Sequence, residues 1–309
     1  MKNHLKYFSL FFISIFPGIA LIAQNEVPES DFFSSIRANQ IDSYVTFTQG
    51  IGNLEPLIFE AMVAPVFLLR TNKNAQYGAT LSTAIRLRMY AEESAPVRSP
   101  SYMPNVTFYY NIPNFHPEIG GSNYFFLMLG HHSNGQEGEF FLPNGDYNTQ
   151  TGNFSTNYLE LGLFFNQKIV PFSNTSEYFK TSVEWHPKLD MSPELEGRYG
   201  FFRLHNSISI NRFSFGNVKS IFKNVSHTYD EVPRVQLNVE TTWIFGERNE
   251  AKAFDLGERF NLNLKIAFRP KALKDVSLFA RLYSGEDYYN MFFYRRINFL
   301  QVGLQAFAF

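Results

Sequence analysis

The chain of 309 residues contains no cysteine, which excludes disulfide bonds and cysteine-ligated metal centres. Charged residues make up only 18% and the net charge is -1, so no basic surface for nucleic acid is indicated. After the first 23 residues, no apolar run is long enough for a membrane helix. Aromatic side chains, in contrast, are abundant at 17%, which is typical of β proteins with aromatic girdles at a membrane surface.

The N-terminus has the pattern of a secretory signal peptide over residues 1–23. Two lysines precede an apolar core at 7–23 that ends in small residues, and we expect cleavage near Ala23 or Gln24. A transmembrane anchor is the alternative, but the short core and Pro17 argue against it. An exported chain without cysteine suits a fold that needs no disulfides.

Most of the remaining sequence alternates between apolar and polar residues. The segment FNLNLKIAF shows the pattern, with one face formed by Phe260, Leu262, Leu264, Ile266 and Phe268. Such alternation predicts strands with one apolar and one polar face. The segments are longer than the five or six residues usual in soluble sandwiches, and their polar faces carry Asn, Gln, Glu, Arg and His. The fold class predicted is therefore all-β, a transmembrane antiparallel barrel of about 12 strands with a polar interior.

The predicted barrel occupies residues 55–309, after a polar lead-in at 24–54. Its strands are expected near 57–70, 77–90, 104–112, 122–133, 156–168, 177–187, 200–212, 215–226, 234–246, 258–269, 275–284 and 295–309. The chain ends in Phe309, and a terminal aromatic residue on the closing strand is typical of outer-membrane barrels. An even number of strands is the usual case for such barrels.

Three polar residues interrupt the apolar, lipid-facing stripe of two neighbouring strands. His131 and Ser133 continue the stripe of the 122–133 strand at the point where it leaves the membrane. Asn157 extends the corresponding stripe of the next strand. Because paired strands lie about 4.8 Å apart, an antiparallel hairpin places Asn157 beside His131. Polar groups on a lipid-facing wall are unfavourable, so this placement indicates a function.

These residue types are those of a serine hydrolase. Ser133 is the predicted nucleophile, His131 its base, and Asn157 the amide that fixes the imidazole tautomer. The backbone N–H groups of Ser133 and Gly135 are candidates for an oxyanion hole. A metal site formed by His131 and His132 is disfavoured because adjacent strand residues point to opposite faces, so His132 should face the barrel interior. On the outer wall, the available substrate is a lipid ester.

Separated motifs resemble the outer-membrane phospholipase A family. The sequence HHSNG at 131–135, followed by Asn157, is similar to the active-site motif of that family. A Tyr-x-Pro at Tyr102 and Pro104 and a Tyr-Ser-Gly at 283–285 stand in the order that the family shows. The resemblance extends over roughly residues 55–309, the whole predicted barrel.

This resemblance implies a lipid-facing active site that hydrolyses acyl esters of phospholipids, with A1, A2 and lysophospholipase activity. It implies Ca²⁺ as cofactor, a homodimer as the active form, and the outer membrane of a Gram-negative bacterium as location. By the same resemblance, His131, Ser133 and Asn157 are the catalytic triad. The calcium ligands fall at the carbonyl of Gln136 and at Asn153.

The sequence also departs from the family pattern. The loop between the serine and the asparagine is longer, and no serine marks the position from which a partner subunit would contact calcium; Arg86 and Arg88 lie near it. Oxygen ligands from the long loop are an alternative hypothesis. The acidic residues concerned are Glu137, Glu139 and Asp146.

Two other functions remain open from the sequence. One is a passive barrel, either a porin-like channel or an inactive relative of the hydrolases. The other is a secreted soluble β protein. A barrel of about twelve strands with inward Arg, Glu, His and Tyr side chains predicts a filled interior, which disfavours a channel. Extraction of the mature chain by detergent alone would exclude the soluble protein.

Overall fold

The computed structural model describes residues 31–94, 96–113, 122–166, 176–211, 235–270, 273 and 275–306. The predicted signal peptide, the predicted strand at 215–226 and the terminal Phe309 lie outside the described residues. Within these ranges, no helix is both long and apolar enough to cross a membrane.

Antiparallel strands make up most of the described chain. In chain order they are β1 (Ser43–Thr46), β2 (Ile51–Gly52), β3 (Leu57–Val63), β4 (Val66–Leu69), β5 (Tyr77–Tyr90), β6 (Ser101–Ile112), β7 (Asn123–Ser133), β8 (Ser155–Asn166), β9 (Ser176–Trp185), β10 (Phe202–Asn211), β11 (Val235–Phe245), β12 (Phe260–Phe268), β13 (Val276–Glu286) and β14 (Arg296–Ala306). The helices are α1 (Asp31–Ala38) and α2 (Leu256–Arg259), with 3₁₀ turns at Pro193–Leu195 and Asn290–Phe292.

The sheet closes on itself as a barrel. β3 and β5 to β14 follow one another as antiparallel neighbours, and β1 pairs with both β3 and β14. Since β1 and β2 both run along β14, and β3 and β4 both run along β5, the described segments occupy twelve positions in the wall. The predicted twelve-stranded antiparallel barrel is therefore confirmed.

One wall position is filled differently from the prediction. β10 pairs directly with β11, from Phe202 opposite Phe245 to Asn211 opposite Gln236. No strand therefore stands between β10 and β11, where the prediction placed 215–226. The twelfth wall position lies between β14 and β3 and is formed by β1 and β2, in the segment expected to be a lead-in. β1 is only four residues long, so its alternation is too short to stand out in the sequence.

The two faces of the wall differ as the alternation predicts. On β14, Leu300 and Val302 are 42% and 48% exposed on the outside, whereas Gln301 between them is buried. Outward aromatic residues form a cluster around both tryptophans of the chain; Trp185 stacks on Phe202 with centroids 6.4 Å apart. An apolar band edged by aromatic rings is typical of a wall in contact with lipid.

Buried ion pairs fill the barrel interior. Glu60, which is fully buried, accepts hydrogen bonds from Arg88 Nε at 2.7 Å and Arg281 Nη2 at 3.2 Å. Arg88 also donates two hydrogen bonds of 2.8 Å to Asp287. The Tyr44 hydroxyl completes the group by donating to Glu60 at 2.6 Å. This network ties the inner faces of β1, β3, β5 and β13 together across the lumen.

Both ends of the barrel are filled. At the end where β7 stops, here called the upper end, Phe140 and Phe154 of the β7–β8 connection pack against Phe293, which also contacts Tyr199. Burial raises the pKa of the Tyr199 hydroxyl, which keeps the cluster uncharged. At the lower end, α1 inserts side chains between inward rings of β6, β7 and β8. Its buried residues are Phe32, Phe33 and Ile36.

Candidate active site

The residues singled out in the sequence stand on the outer wall at the upper end. β7 and β8 pair so that His131 lies opposite Asn157. On β7, His131 and Ser133 share the face of Leu129, which is 43% exposed; on β8, Asn157 shares the face of Leu161, which is 49% exposed. Strand alternation therefore directs all three polar side chains outward, toward the lipid.

Hydrogen bonds orient the histidine through the asparagine. His131 Nδ1 lies 2.8 Å from Asn157 Oδ1. Asn157 Nδ2 donates to two backbone carbonyls, that of Leu189 at 2.8 Å and that of Asp190 at 3.2 Å. Only the amide NH₂ group can donate to both carbonyls, so the amide oxygen must face the imidazole and accept from it. Nδ1 therefore carries the proton, and Nε2 has the free lone pair that a general base needs.

Ser133 lies two residues beyond His131 on the same face of β7, which separates their Cα atoms by roughly 6.5–7 Å. In the described part of the chain, no hydrogen bond joins the Ser133 hydroxyl to His131. In hydrolases without substrate, this contact is often long and shortens when the substrate binds. The structure thus brings His131 and Asn157 into contact. Ser133 lies close by, but the described residues show no hydrogen bond from its hydroxyl to His131.

A tight turn follows the serine at Gly135. Its φ of 68° lies in the left-handed region, and a Cβ atom there would approach the Tyr102 ring to 3.3 Å. Glycine is therefore favoured at this position. Among the described residues, no acceptor contacts the Gly135 N–H, which leaves this donor available to a substrate oxygen.

Asn134 fastens this turn to the end of the same loop. Its side chain is buried, donating to the Gly152 carbonyl at 2.8 Å and accepting from the Phe154 N–H at 3.0 Å. Its own N–H donates to the Phe154 carbonyl at 3.2 Å. The N–H of Asn134 is thus occupied, while no acceptor among the described residues contacts that of Gly135.

The two predicted calcium ligands belong to neighbouring stretches of the β7–β8 loop. The Asn153 N–H donates to the Gly138 carbonyl at 2.9 Å, which holds residue 153 beside the chain that leaves Gln136. Over the described ranges, no hydrogen bond involves the backbone carbonyl of Gln136 or the side chain of Asn153, so both oxygens are available to a cation. Amide and backbone oxygens suit Ca²⁺, although a set without carboxylates binds it weakly.

The acidic residues of the same loop form no cluster of three. Glu137, Glu139 and Asp146 are exposed, and Asp146 accepts a hydrogen bond from Asn144. No group of three or more His, Asp or Glu side chains able to hold a metal occurs among the described residues. The alternative ligand hypothesis therefore stays a prediction.

Three further candidates face the interior. Arg86 donates to the Tyr288 carbonyl at 3.0 Å, and Arg88 pairs with Glu60, so both arginines point into the barrel and not outward from its wall. His132 lines an internal cavity of about 320 Å³ near the upper end. It thus faces away from His131, as strand alternation predicts.

Sequence reasoning missed the contribution of the β9–β10 connection. Leu189 and Asp190 act through backbone carbonyls, which any residue type possesses, so their side chains give no signal. Asp190 has a φ of 49°, a conformation more common for Asp and Asn than for most residues. The nearest sequence signal is the turn-forming composition of HPKLDMSP at 186–193.

Fold and site together define a class of protein. It is an outer-membrane type of β-barrel of twelve strands that carries a histidine–asparagine pair and a serine on its lipid-facing wall. No protein-family model matches the sequence, and no curated protein matches it by sequence.

Solved structures of outer-membrane phospholipase A are similar to this chain. The enzyme from Escherichia coli matches with a TM-score of 0.54 and 13% identity, over 86% of this chain and 92% of that chain. An active-site mutant of the same enzyme at pH 6.1 matches with a TM-score of 0.55 and 13% identity, over 87% and 91%. The Salmonella typhi outer membrane phospholipase dimer with bound calcium matches with a TM-score of 0.55 and 13% identity, over 86% and 90%. At this identity, the likeness concerns the fold.

Proposed function

We propose that the chain is an outer-membrane phospholipase of a Gram-negative bacterium, which hydrolyses acyl ester bonds of phospholipids and lysophospholipids. The observation that carries the proposal is the hydrogen bond of 2.8 Å between His131 Nδ1 and Asn157 Oδ1 on the outer wall. In the neutral imidazole, it leaves the lone pair on Nε2, and His131 stands two residues from Ser133 on the same face.

The height of the site supports a lipid substrate. Leu159, two residues below Asn157 on β8, lies opposite Trp185, which belongs to the outward aromatic cluster. Tryptophan and tyrosine rings concentrate at the level of the lipid headgroups. The histidine and serine lie just beyond this level on the upper side, so they are at the membrane–water interface and outside the hydrocarbon core.

In the proposed reaction, Ser133 Oγ attacks the ester carbonyl while His131 Nε2 accepts its proton. The Gly135 N–H donates to the oxyanion that forms. His131 then gives the proton to the departing lysophospholipid oxygen, which leaves an acyl group on Ser133. A water molecule, deprotonated by His131, hydrolyses this acyl-enzyme. The neutral Asn157 holds the imidazole in place but stabilises its charged form less than an aspartate would.

Calcium and a second subunit are part of the proposal. The Salmonella typhi structure is a dimer with bound calcium. In this chain, Gln136 and Asn153 would hold the ion with the help of backbone carbonyls. Bound there, a divalent cation supplies positive charge that polarises the oxyanion donors. Because these ligands are uncharged, we expect low affinity from a single chain and propose that the homodimer completes the coordination.

A porin-like function is disfavoured by the interior. The ion pairs around Glu60 cross the lumen, the aromatic cluster fills the upper end, and α1 fills the lower end. A channel for solutes needs a continuous polar path, and these groups obstruct it.

The test is acyl release from phospholipid in detergent mixed micelles by the purified full chain. We expect calcium-dependent release that is lost in Ser133→Ala and in the presence of a chelator. Ser284→Ala is the matched control, since Ser284 also lies on the outward face near the upper end but on β13. Full activity in Ser133→Ala, or equal loss in both serine variants, would contradict the proposal.

A further inference from the structure

We propose that the β9–β10 connection dictates an amide, rather than a carboxylate, as the partner of the histidine, and that Asp190 and Ser192 are positioning residues. The inference rests on the proposed function for its kinetic consequences. Its structural part concerns the tautomer of His131 and stands by itself.

Two acceptors converge on the far side of the Asn157 side chain. The carbonyl oxygens of Leu189 and Asp190 lie 2.8 Å and 3.2 Å from Asn157 Nδ2. If an aspartate replaced Asn157 in the same rotamer, its second oxygen would face these two oxygens with no proton between them. A carboxylate normally supports a catalytic histidine better than an amide does. Here the repulsion between acceptors favours the amide, because only its NH₂ group satisfies both carbonyls.

The conformation of Asp190 places one of these carbonyls. Its φ of 49° lies in the left-handed region, which Asp, Asn and Gly adopt more readily than β-branched residues do. The Asp190 side chain is exposed to solvent. The argument therefore depends on the backbone conformation of this residue and not on its charge.

Ser192 fastens the connection beside the asparagine. It is buried, and its N–H donates to the Ser155 carbonyl at 2.9 Å. Its hydroxyl donates to the Asn153 carbonyl at 2.9 Å and accepts from the Ser155 N–H at 3.0 Å. These three hydrogen bonds hold residues 189–192 against the start of β8, immediately before Asn157.

The first experiment varies the backbone preference at Asp190. We expect Asp190→Asn and Asp190→Gly to retain the kcat of the wild type, since both tolerate a positive φ. Asp190→Val should lower kcat by about tenfold with KM unchanged, because a β-branched residue disfavours this conformation. Ser192→Ala should lower kcat in the same direction. Heat-modifiable migration in gels shows whether each barrel has folded.

A readout independent of activity is the tautomer of His131, measured by ¹⁵N NMR of the imidazole in detergent micelles and assigned with His131→Gln. The wild type, Asp190→Asn and Asp190→Gly should have the proton on Nδ1, whereas Asp190→Val should show a mixture of tautomers. An unchanged tautomer in folded Asp190→Val would overturn the positioning role, whether or not the chain proves to be a phospholipase.

The second experiment introduces the carboxylate. At pH 8, Asn157→Asp should have a kcat at least about tenfold below that of the wild type. Its activity relative to the wild type should rise as the pH falls, because a protonated carboxyl can donate to a carbonyl. In a double-mutant cycle, Asp190→Val should reduce the loss of kcat caused by Asn157→Asp. The reason is that the valine moves the carbonyl of residue 190 away from the new carboxylate. Wild-type activity of Asn157→Asp at pH 8, or strictly additive effects, would contradict the selection of the amide.

If the chain is not a phospholipase that uses Ser133, the acyl-release assay gives a different result. In that case, Ser133→Ala would release acyl chains as the wild type does, or neither would release any. The NMR comparison would still decide whether the β9–β10 connection sets the tautomer.

Discussion

Replacement of Glu60 tests whether the barrel interior is held together by charge. The Glu60 side chain is 0% exposed and accepts hydrogen bonds from Arg88, Arg281, Tyr44 and Tyr288. When the Glu60 carboxylate is removed, Arg88 still pairs with Asp287. Arg281, however, has no other carboxylate partner among the described residues. Breaking a buried pair in this way leaves one uncompensated guanidinium, which costs about 3–5 kcal/mol.

We therefore expect Glu60→Ala to lower the free energy of unfolding by about 3–5 kcal/mol. Glu60→Gln, which retains shape and one acceptor, should lower it by about 1.5–3 kcal/mol, the typical contribution of a hydrogen bond to a charged group. The control is Glu92→Gln, which breaks the exposed pair of Glu92 with Arg98; we expect an effect below about 1 kcal/mol.

The assay is equilibrium unfolding by denaturant of the chain folded into lipid vesicles. Fluorescence of Trp185 and Trp243 on the outer wall reports the transition without a new probe. If Glu60→Ala proved as stable as Glu92→Gln, the interior would not depend on this ion-pair network, and the reasoning would be refuted.

Four other predictions concern the site and the lumen. Asn157→Ala should lower kcat by about 10–100-fold with KM unchanged in the micelle assay, less than the ~10⁴-fold loss for a charged orienting residue, because the amide contributes no charge. Gly130→Ala should lower the free energy of unfolding by about 1–3 kcal/mol, since its Cβ would lie 2.1 Å from Tyr158 Cζ; an unchanged denaturation midpoint would contradict this. In planar bilayers, the full chain should show no stable conductance, and a large steady current would revive the channel alternative. Asn153→Ala should raise the calcium concentration needed for half-maximal acyl release, whereas Asn144→Ala at the exposed loop tip should not; equal curves would remove residue 153 from the calcium site.

The alternation of residue types predicted most of the wall. The strand expected at 77–90 coincides with β5, and that expected at 122–133 differs from β7 by one residue at its start. The same alternation predicted that His131 and Asn157 lie on the outer face of paired strands. Side-chain direction in a strand depends only on the parity of the residue number, so this information is local and can be read from the sequence.

Contacts between distant residues could not be predicted in this way. The four-residue β1 is a wall strand only because β3 and β14 pair with it on either side. α1 belongs in the lower end because inward aromatic rings of β6, β7 and β8 receive its buried face. Both depend on closure of the sheet, which no short segment of sequence encodes.

The sequence by itself thus determined the barrel class, the facing of its strands, and the identity of the histidine, serine and asparagine that share the outer wall. Only the tertiary structure decided which nitrogen of His131 is free, because that depends on the carbonyls of Leu189 and Asp190, 32 and 33 residues from Asn157. Backbone carbonyls are the same in every residue, so their position is set by the folded chain and not by residue type.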